Sequence, residues 1–451
     1  MNIIQKTAKI NSIFLALVLI AGTFAAVYPS FIIGIQAQSE YENENGYGSQ
    51  KNSYNYNSDY PPSPDYASTE YKTDRDNSAG YSSQPSYEYP KLDYPQSDYE
   101  SNQENDYYNY PPAEDHPPAD IVVPIDFDTI QEAIDAANEG DVIKVLPGTY
   151  TEQLTISKSL TIIGSGAKAT IIEAPPLGEL EPNVIGLPYI VEVNNGAEVT
   201  IKGFTIKGLQ GTDCDDLIGV SVIEDATINL KHSVIKGCTL NSVAVGFEGT
   251  GNATITKTFI TDYRDHGVFA IGPNTTLTMS YNKIVGSSPD REGIIGILFV
   301  FDTLGTITNN EISDNICDIP NTCGPNWFNQ TQAFGIVADT VSEGTVIANN
   351  YVTNNDAGIG VFGESGCCII DYNKLKDNRF FGIVIGDSEH IVSNTKIFGG
   401  QVGAAAAATF DNTTAILDKV KIVGAEIPIQ ALSSGNLTAA VNVLTPSFFQ
   451  P

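Results

Sequence analysis

From Ala119 onward, short alternating hydrophobic runs are separated by Gly, Asn or Ser. In seven places one aliphatic residue follows another by five positions, and most successive pairs are 22 to 29 residues apart. This spacing is typical of a solenoid whose coils each bury one apolar face against their neighbours. The pairs are Ile201/Ile206, Ile255/Ile260, Ile307/Ile312, Ile347/Val352, Ile370/Leu375, Val392/Ile397 and Leu417/Ile422, and Ile228/Ile235 and Leu277/Ile284 fit with two residues more.

A second series indicates that each coil contains at least two strands. Its members are followed by alternating Ile, Val or Phe, and they are Gly219, Ser242, Gly267, Gly293, Gly335, Gly358 and Gly382. Asn282, Asn310, Asn350 and Asn373 precede strands of the first series, so we expect their amides to bond from coil to coil. Strands this short are stable only when stacked, because the stack satisfies both of their edges. The pattern predicts an all-β chain folded as a single-stranded parallel β-helix of about ten coils.

The folded part opens with a short helix predicted over 129–138. Ile130, Ala133, Ile134 and Ala137 form one apolar stripe, and Thr129 with Glu132 forms a capping box. Gly140 suits the left-handed position after the last turn. We expect this helix to cover the open apolar end of the solenoid. At the C-terminal end of the solenoid, the segments 404–408 and 447–449 are candidates to cover the apolar core.

Directly after the helix, Gly148-Thr149-Tyr150-Thr151-Glu152 forms a Gly-x-Tyr-x-Glu motif. The stretch 126–173 resembles the start of pectin methylesterases, within the pectin-lyase-like superfamily of right-handed parallel β-helix proteins. The resemblance implies a right-handed coil. It does not carry the esterase activity over, because the catalytic motifs of that family are absent. The nearest string to one of them is Phe301-Asp302-Thr303-Leu304.

The chain is predicted to have three parts. Residues 1–37 are typical of an export signal, with Lys6 and Lys9 before an apolar core; an uncleaved membrane anchor is the other interpretation. Residues 38–118 contain 15 of the 22 tyrosines and almost no aliphatic side chains, which predicts a disordered spacer. A Tyr-rich segment that adheres to envelope or matrix is the alternative for that spacer. Residues 119–451 form the β-helix domain.

Charge and cysteine content restrict the partners. The net charge of −31 argues against nucleic acid and against anionic membrane surfaces, so contact with a membrane is expected only through the signal or anchor. An anionic polysaccharide would also be repelled unless cations bridged it. No cysteines have zinc-type spacing, so disulfides are expected, as in exported proteins. Cys214 and Cys238 lie about one coil apart, Cys317 and Cys323 suit a small loop, and Cys367 and Cys368 are adjacent.

One set of residues is a candidate for catalysis. Alignment on the glycine series places Asp265-His266 beside Arg291-Glu292 on the next coil, with Asn241 on the coil before as a substrate-binding candidate. Carboxylates beside His or Arg are what a glycan hydrolase, lyase or epimerase uses to transfer protons. A solvated ladder of salt bridges between coils is the competing interpretation.

Other residues are candidates for binding and modification. Asp213, Asp215 and Asp216 form a candidate calcium site, with a solvated acidic loop as the alternative. Within an insertion at 313–334, Trp327 and Phe328 either stack on a sugar ring or pack the insertion onto the coils. The chain contains five glycosylation sequons, which are expected to be glycosylated if the chain is exported. They begin at Asn252, Asn274, Asn329, Asn412 and Asn436.

Two functions of different classes follow from these observations. The first is a secreted or cell-surface module that binds polysaccharide or cell-envelope components. It fits the leader, the sequons and the absence of an intact catalytic motif. The second is a polysaccharide-modifying enzyme that uses Asp265, His266, Arg291 and Glu292.

Overall fold

The computed structural model describes residues 118–184, 186–209, 217–237, 239–246, 250–287, 290–327, 329–363, 366–386, 389–408, 413–433 and 436–438. The sequence segments 1–37 and 38–117, and with them the predicted signal and nearly all of the spacer, lie outside these ranges. The described chain coils through three parallel sheets, which we name A, B and C, of 13, 11 and 11 strands.

Strands of each sheet lie one coil apart in the sequence. Sheet A consists of Ile121–Val123, Val142–Val145, Leu160–Gly164, Glu198–Lys202, Ala226–Lys231, Gly251–Thr256, Thr276–Ser280, Leu304–Thr308, Thr345–Ala348, Cys368–Asp371, Glu389–Ser393, Thr414–Asp418 and Asn436–Thr438. Sheet B consists of Gly148–Thr151, Thr170–Glu173, Thr205–Lys207, Val234–Lys236, Phe259–Thr261, Lys283–Val285, Glu311–Ser313, Tyr351–Thr353, Lys374–Lys376, Lys396–Phe398 and Lys421–Val423. Sheet C consists of Leu154–Ile156, Tyr189–Val193, Ile218–Val222, Thr239–Val245, Tyr263–Ile271, Ile295–Val300, Phe334–Asp339, Ala357–Phe362, Phe381–Gly386, Val402–Ala408 and Ile427–Ser433.

The predicted parallel β-helix is confirmed, with about twelve coils rather than ten, and three strands per coil where at least two were predicted. Inward Ile, Val and Leu side chains of all three sheets form one continuous buried column. The two pairs that were seven residues apart become regular in the structure. Leu230, five residues before Ile235, is the residue that pairs with Ile201, and Met279, five residues before Ile284, is the one that pairs with Ile255. One expected cover is wrong: 404–408 belongs to a strand of sheet C. The other, 447–449, lies outside the described residues.

The opening helix is confirmed as Ile130–Ala136, shorter than predicted, with both hydrogen bonds of its capping box present. Gly140 has a left-handed φ of 88°, but the helix has already ended four residues earlier. The Gly-x-Tyr-x-Glu motif has a structural role here. Glu152 accepts hydrogen bonds from the backbone amides of Ile130 and Gln131, both at 3.0 Å. A carboxylate at the N-terminus of the helix also complements the helix dipole, so the motif fixes the capping helix onto the first coil.

Two ladders of buried asparagines hold the corners between sheets. The predicted ladder is confirmed between sheets A and B, where each amide bonds the next at 2.9 to 3.1 Å. It consists of Asn282, Asn310, Asn350 and Asn373. A second ladder between sheets B and C, which the sequence analysis missed, consists of Asn315, Asn355 and Asn378. Together they satisfy backbone groups that the turns would otherwise bury without partners.

The structure aligns the members of the glycine series across adjacent strands of sheet C, with the exception of Gly293. His266 pairs with Ile295 and Val268 with Ile297, so the residue opposite Gly267 is Gly296 and not Gly293. A Cβ added to Gly267 would lie 2.6 Å from the carbonyl oxygen of Gly296, so a side chain there would collide with the next coil. Gly293 lies in the preceding turn, with a φ of 65°.

The insertion after Glu311–Ser313 is anchored by one buried charge. Asp356, which has no exposed surface, accepts hydrogen bonds from the amides of Cys317 at 3.0 Å and Ala333 at 3.1 Å. Arg379 bonds Asp356 through Nε at 2.7 Å and also reaches the Cys317 carbonyl at 2.9 Å. Both ends of the insertion are therefore tied to the two following coils.

Disulfides join Cys317 to Cys323 and Cys367 to Cys368, as the sequence pairing suggested. The proposed pairing of Cys214 with Cys238 involves residues outside the described ranges. Within those ranges, no helix has the length and apolar character needed to cross a membrane.

Candidate functional site

The outer face of sheet C changes from polar to apolar along the axis of the solenoid. In its first coils the Tyr189 hydroxyl lies 2.7 Å from Thr155 Oγ1, and Glu192 accepts a hydrogen bond from Asn194 at 2.9 Å. Burial raises the pKa of the Glu192 carboxyl, and the bond from Asn194 opposes that rise. Further along, the outward side chains are apolar and cluster together, among them Phe269, Ile295, Leu298, Phe334, Val337, Phe381 and Val384.

His266 lies at the boundary between these two parts. Its Nδ1 is 2.8 Å from Asn241 Oδ1, and its ring stacks on Phe269 with centroids 5.2 Å apart. Asn241 and His266 pair directly across adjacent strands, as predicted. Burial lowers the pKa of His266 to about 4, so the ring is neutral at neutral pH. With the amide oxygen of Asn241 as acceptor, the ring carries its hydrogen on Nδ1, and Nε2 keeps a lone pair.

The strand register predicted for the catalytic set differs from the one observed. Arg291 and Glu292 were expected directly beside Asp265 and His266, and this register is wrong. The residue opposite His266 is Ile295, and Arg291 and Glu292 precede that strand in a turn. The cause is the same three-residue slip that replaces Gly293 by Gly296 in the glycine series. All four side chains are partly buried.

Trp327 packs the insertion onto sheet C. Its ring stacks on Phe362 at 5.8 Å and meets Phe334 and Phe381 edge to face at 6.3 and 5.8 Å. These contacts support the packing interpretation over a free platform for a sugar. Phe328 and the candidate calcium ligands Asp213, Asp215 and Asp216 lie outside the described residues.

The sequons differ in accessibility. Asn274 and Asn329 are exposed. Asn252 lies on the outer face of sheet A and accepts a hydrogen bond from Thr276 at 2.6 Å. Asn412 and the side chain of Asn436 are not described, and glycosylation at all five positions stays a prediction.

The outer face of sheet B carries a feature that the sequence analysis missed. Lys374, Lys396 and Lys421 pair in register on three successive strands, so their side chains form one row, which we name the lysine column. All three are exposed. The row continues backwards to Tyr351, and the ammonium of Lys374 lies 4.9 Å from the centre of the Tyr351 ring.

Earlier in the same row of sheet B, the charge of a lysine is neutralised by a carboxylate on the next coil. Lys283 and Glu311 are consecutive members of the row and form an ion pair at 3.4 Å. Beside the column, Lys376 pairs with Asp377 at 3.8 Å. In the described part of the chain, by contrast, no carboxylate forms an ion pair with a member of the lysine column.

Strands one coil apart are separated by about 4.8 Å, so the column places the backbones of three exposed lysines at that spacing and brings three like charges close together. Such an arrangement is unfavourable until an anion approaches, and it is then complementary to a chain with regularly spaced negative groups. The lysine column could have been recognised from a pattern in the sequence. Each lysine immediately precedes a residue of the first aliphatic series, namely Leu375, Ile397 and Ile422.

Comparison with known proteins agrees with the fold. Residues 189–367 match a family described as "Right handed beta helix region". This agrees with the right-handed coil that the opening stretch implied. No curated protein matches the chain significantly.

Similar solved structures include a double mutant of the periplasmic alginate epimerase AlgG, with 13% identity, TM-score 0.45, and 68% of this chain and 75% of that one covered. The A-module of the Azotobacter vinelandii mannuronan C-5 epimerase AlgE6 has 14% identity, TM-score 0.38, and coverage of 70% and 94%. The catalytic domain of a GH87 α-1,3-glucanase has 12% identity, TM-score 0.38, and coverage of 74% and 71%. At these values the likeness concerns the fold alone.

Proposed function

We propose that this chain is an exported β-helix module that binds an acidic polysaccharide along the outer face of sheet B. The observation that carries the proposal is the lysine column, three exposed lysines in register that form no ion pair with a carboxylate of the described residues. An extended glycan with a carboxylate on successive sugars presents negative groups in a row. The ammonium groups would meet those carboxylates one after another, while the Tyr351 ring offers an aromatic surface at one end.

The large negative net charge does not prevent this binding. At physiological ionic strength, screening reduces interactions between exposed charges beyond about 8 Å, so the ligand responds mainly to the charges next to it. The sequence-based expectation of repulsion considered only the total charge, and it did not include this local row.

An exported location fits the same proposal. The disulfides Cys317–Cys323 and Cys367–Cys368 are typical of proteins in oxidising compartments. The predicted leader 1–37 and spacer 38–118 would present the domain away from a cell surface, where envelope polysaccharides are available.

The proposal predicts that the full chain binds a polyuronate, and more weakly binds a neutral polyglucose of equal length. Replacing Lys374, Lys396 and Lys421 together by Gln should weaken polyuronate binding by at least about tenfold, because three charge-assisted contacts are lost. The salt dependence of the affinity should become shallower in the same variant, since fewer ions are exchanged on binding. Isothermal titration calorimetry at several salt concentrations measures both effects.

A charge-matched control is available on sheet A. Lys202 and Lys231 pair in register, and Lys257 lies at the turn beside them. Replacing these three by Gln removes the same net charge, and it should leave polyuronate affinity within about twofold. Equal losses in the two triple variants would show that only net charge matters and would contradict the proposal.

The enzymatic alternative rests on the His266–Asn241 pair. A neutral imidazole with a hydrogen bond fixing one nitrogen keeps the other available as a base. If the chain is an enzyme, incubation with polyuronate should yield new reducing ends, unsaturated ends or epimerised sugars, and His266→Ala should abolish the product. His232→Ala provides the control, because His232 lies outside sheet C. Turnover that persists in His266→Ala would exclude this histidine.

A further inference from the structure

Two adjacent cysteines and a histidine meet inside the column at sheet A. Ile370 pairs with Val392, which places Cys368 and His390 opposite each other on adjacent strands. The side chains of Cys367, Cys368 and His390 are 4%, 8% and 1% exposed. One ligand atom from each lies within 4.8 Å of the others. Stacking of coils therefore creates a Cys–Cys–His cluster that spacing along the sequence did not reveal.

The histidine is the unusual member of its row. Among the residues that the structure describes, neither ring nitrogen of His390 has a hydrogen-bond partner, although the residue is almost completely buried. Burial lowers the pKa of His390 to about 4, so the ring is neutral, which is the form that binds metals. In most other coils the same inward position holds aliphatic side chains that need no partner, and the polar exception, Thr345, accepts a hydrogen bond from the Gly305 amide at 3.2 Å. Among the aliphatic members are Val199, Ile228, Ala253, Leu277 and Ala415.

The sulfur atoms of Cys367 and Cys368 are bonded to each other in this structure. A dithiol reductant would transfer two electrons and two protons to this disulfide, giving two thiols, and would itself close to a cyclic disulfide. Metal binding would then release the two thiol protons and leave two thiolates and one imidazole as ligands. Two thiolates with an imidazole are ligands that zinc and other thiophilic ions prefer.

We propose that the reduced form of this cluster, Cys367, Cys368 and His390, binds a thiophilic metal ion, and that the vicinal disulfide closes the site. The proposal is independent of polysaccharide binding at sheet B. Zinc ligands lie about 2.0–2.3 Å from the ion, so ligand atoms within 4.8 Å of one another need only small movements to surround it. One of the two unpartnered ring nitrogens would then have a partner.

The test compares the full chain before and after reduction by a dithiol that is removed under anaerobic conditions. Zn²⁺ bound is measured by competition with a chromogenic chelator, and Co²⁺ serves as a second probe whose thiolate charge-transfer absorption reports sulfur ligation. We expect the reduced protein to bind about one equivalent more than the oxidised protein. His390→Leu should lose that equivalent, although all six cysteines remain and leucine matches the aliphatic row.

Two controls separate this cluster from the other thiols. The double variants Cys317→Ser/Cys323→Ser and Cys214→Ser/Cys238→Ser should each keep the additional equivalent, whereas Cys367→Ser/Cys368→Ser should lose it. Circular dichroism verifies that each variant is folded. Retention of full binding and of the Co²⁺ absorption by His390→Leu would overturn the proposal, as would a reduced protein that binds no more metal than the oxidised one.

Discussion

Replacing Arg379 by Met is expected to lower the free energy of unfolding by about 3–5 kcal/mol at neutral pH, the cost of leaving a buried charge without its partner. The charge concerned is Asp356, which is completely buried and bonded by Arg379. Met retains much of the apolar volume of the arginine stem, so the loss reports the charge more than the packing. Urea denaturation followed by circular dichroism measures the change.

The same variant has a diagnostic dependence on pH. Burial raises the pKa of Asp356, while two amides and the guanidinium of Arg379 oppose that rise. Without the guanidinium, the folded-state pKa should rise further above the unfolded value of about 4. When a carboxyl has a raised pKa in the folded state, the free energy of unfolding of the protein falls as pH increases through that pKa. The stability difference between the variant and the original chain should therefore be largest at neutral pH and smaller near pH 4.

Lys376→Met on the same side of the solenoid is the matched control. Its ammonium lies 3.8 Å from the exposed Asp377, and such pairs contribute little. We expect a change within about 0.5 kcal/mol and no comparable pH dependence. A similar loss in both variants, or a loss in Arg379→Met that does not vary with pH, would contradict the role given to Asp356.

Replacing Asn350 by Ala should cost about 2–4 kcal/mol, because it breaks the ladder between sheets A and B. The Asn350 amide oxygen accepts from the backbone nitrogen of Asn310 at 3.0 Å, and its Nδ2 donates to Ile307 at 2.8 Å and to Asn373 at 3.1 Å. All of these groups are buried, so those left unpaired cannot turn to water. The midpoint of urea denaturation measures the loss.

The neighbouring Asn349 offers a control of the same residue type. It is exposed and has a left-handed φ of 57°, a conformation that glycine adopts without a Cβ penalty. Asn349→Gly should therefore change stability by less than about 1 kcal/mol. If the two substitutions cost the same, the ladder would not be the source of the stability.

The fold could be predicted because each coil repeats the same local rule. Apolar alternation, the positions of the asparagines, and the helix at 130–136 each follow from nearby residues. The wrong pairing of Gly293 has a different origin. Three extra residues in one turn shift the register, and a pattern along the chain does not reveal how many residues a turn contains.

The candidate sites were harder to predict because they combine residues from different coils. Lys396 and Lys421 are ordinary surface lysines until the register places them in one row. His390 is likewise unremarkable in the sequence, and only coil stacking shows that it faces Cys368 inside the column. A prediction that had aligned the residues before each aliphatic position would have found the lysine column, but the cluster at His390 also required knowledge of burial.

The most direct test of polyanion binding at sheet B is lysine footprinting. The full chain is acetylated with and without an oligouronate, and the labelling of each lysine is measured by mass spectrometry. The account predicts that the ligand protects Lys374, Lys396 and Lys421, while Lys202, Lys231 and Lys257 are labelled equally in both samples. Bound oligouronate that leaves the lysine column fully reactive, or that protects the lysines of sheet A instead, would contradict it.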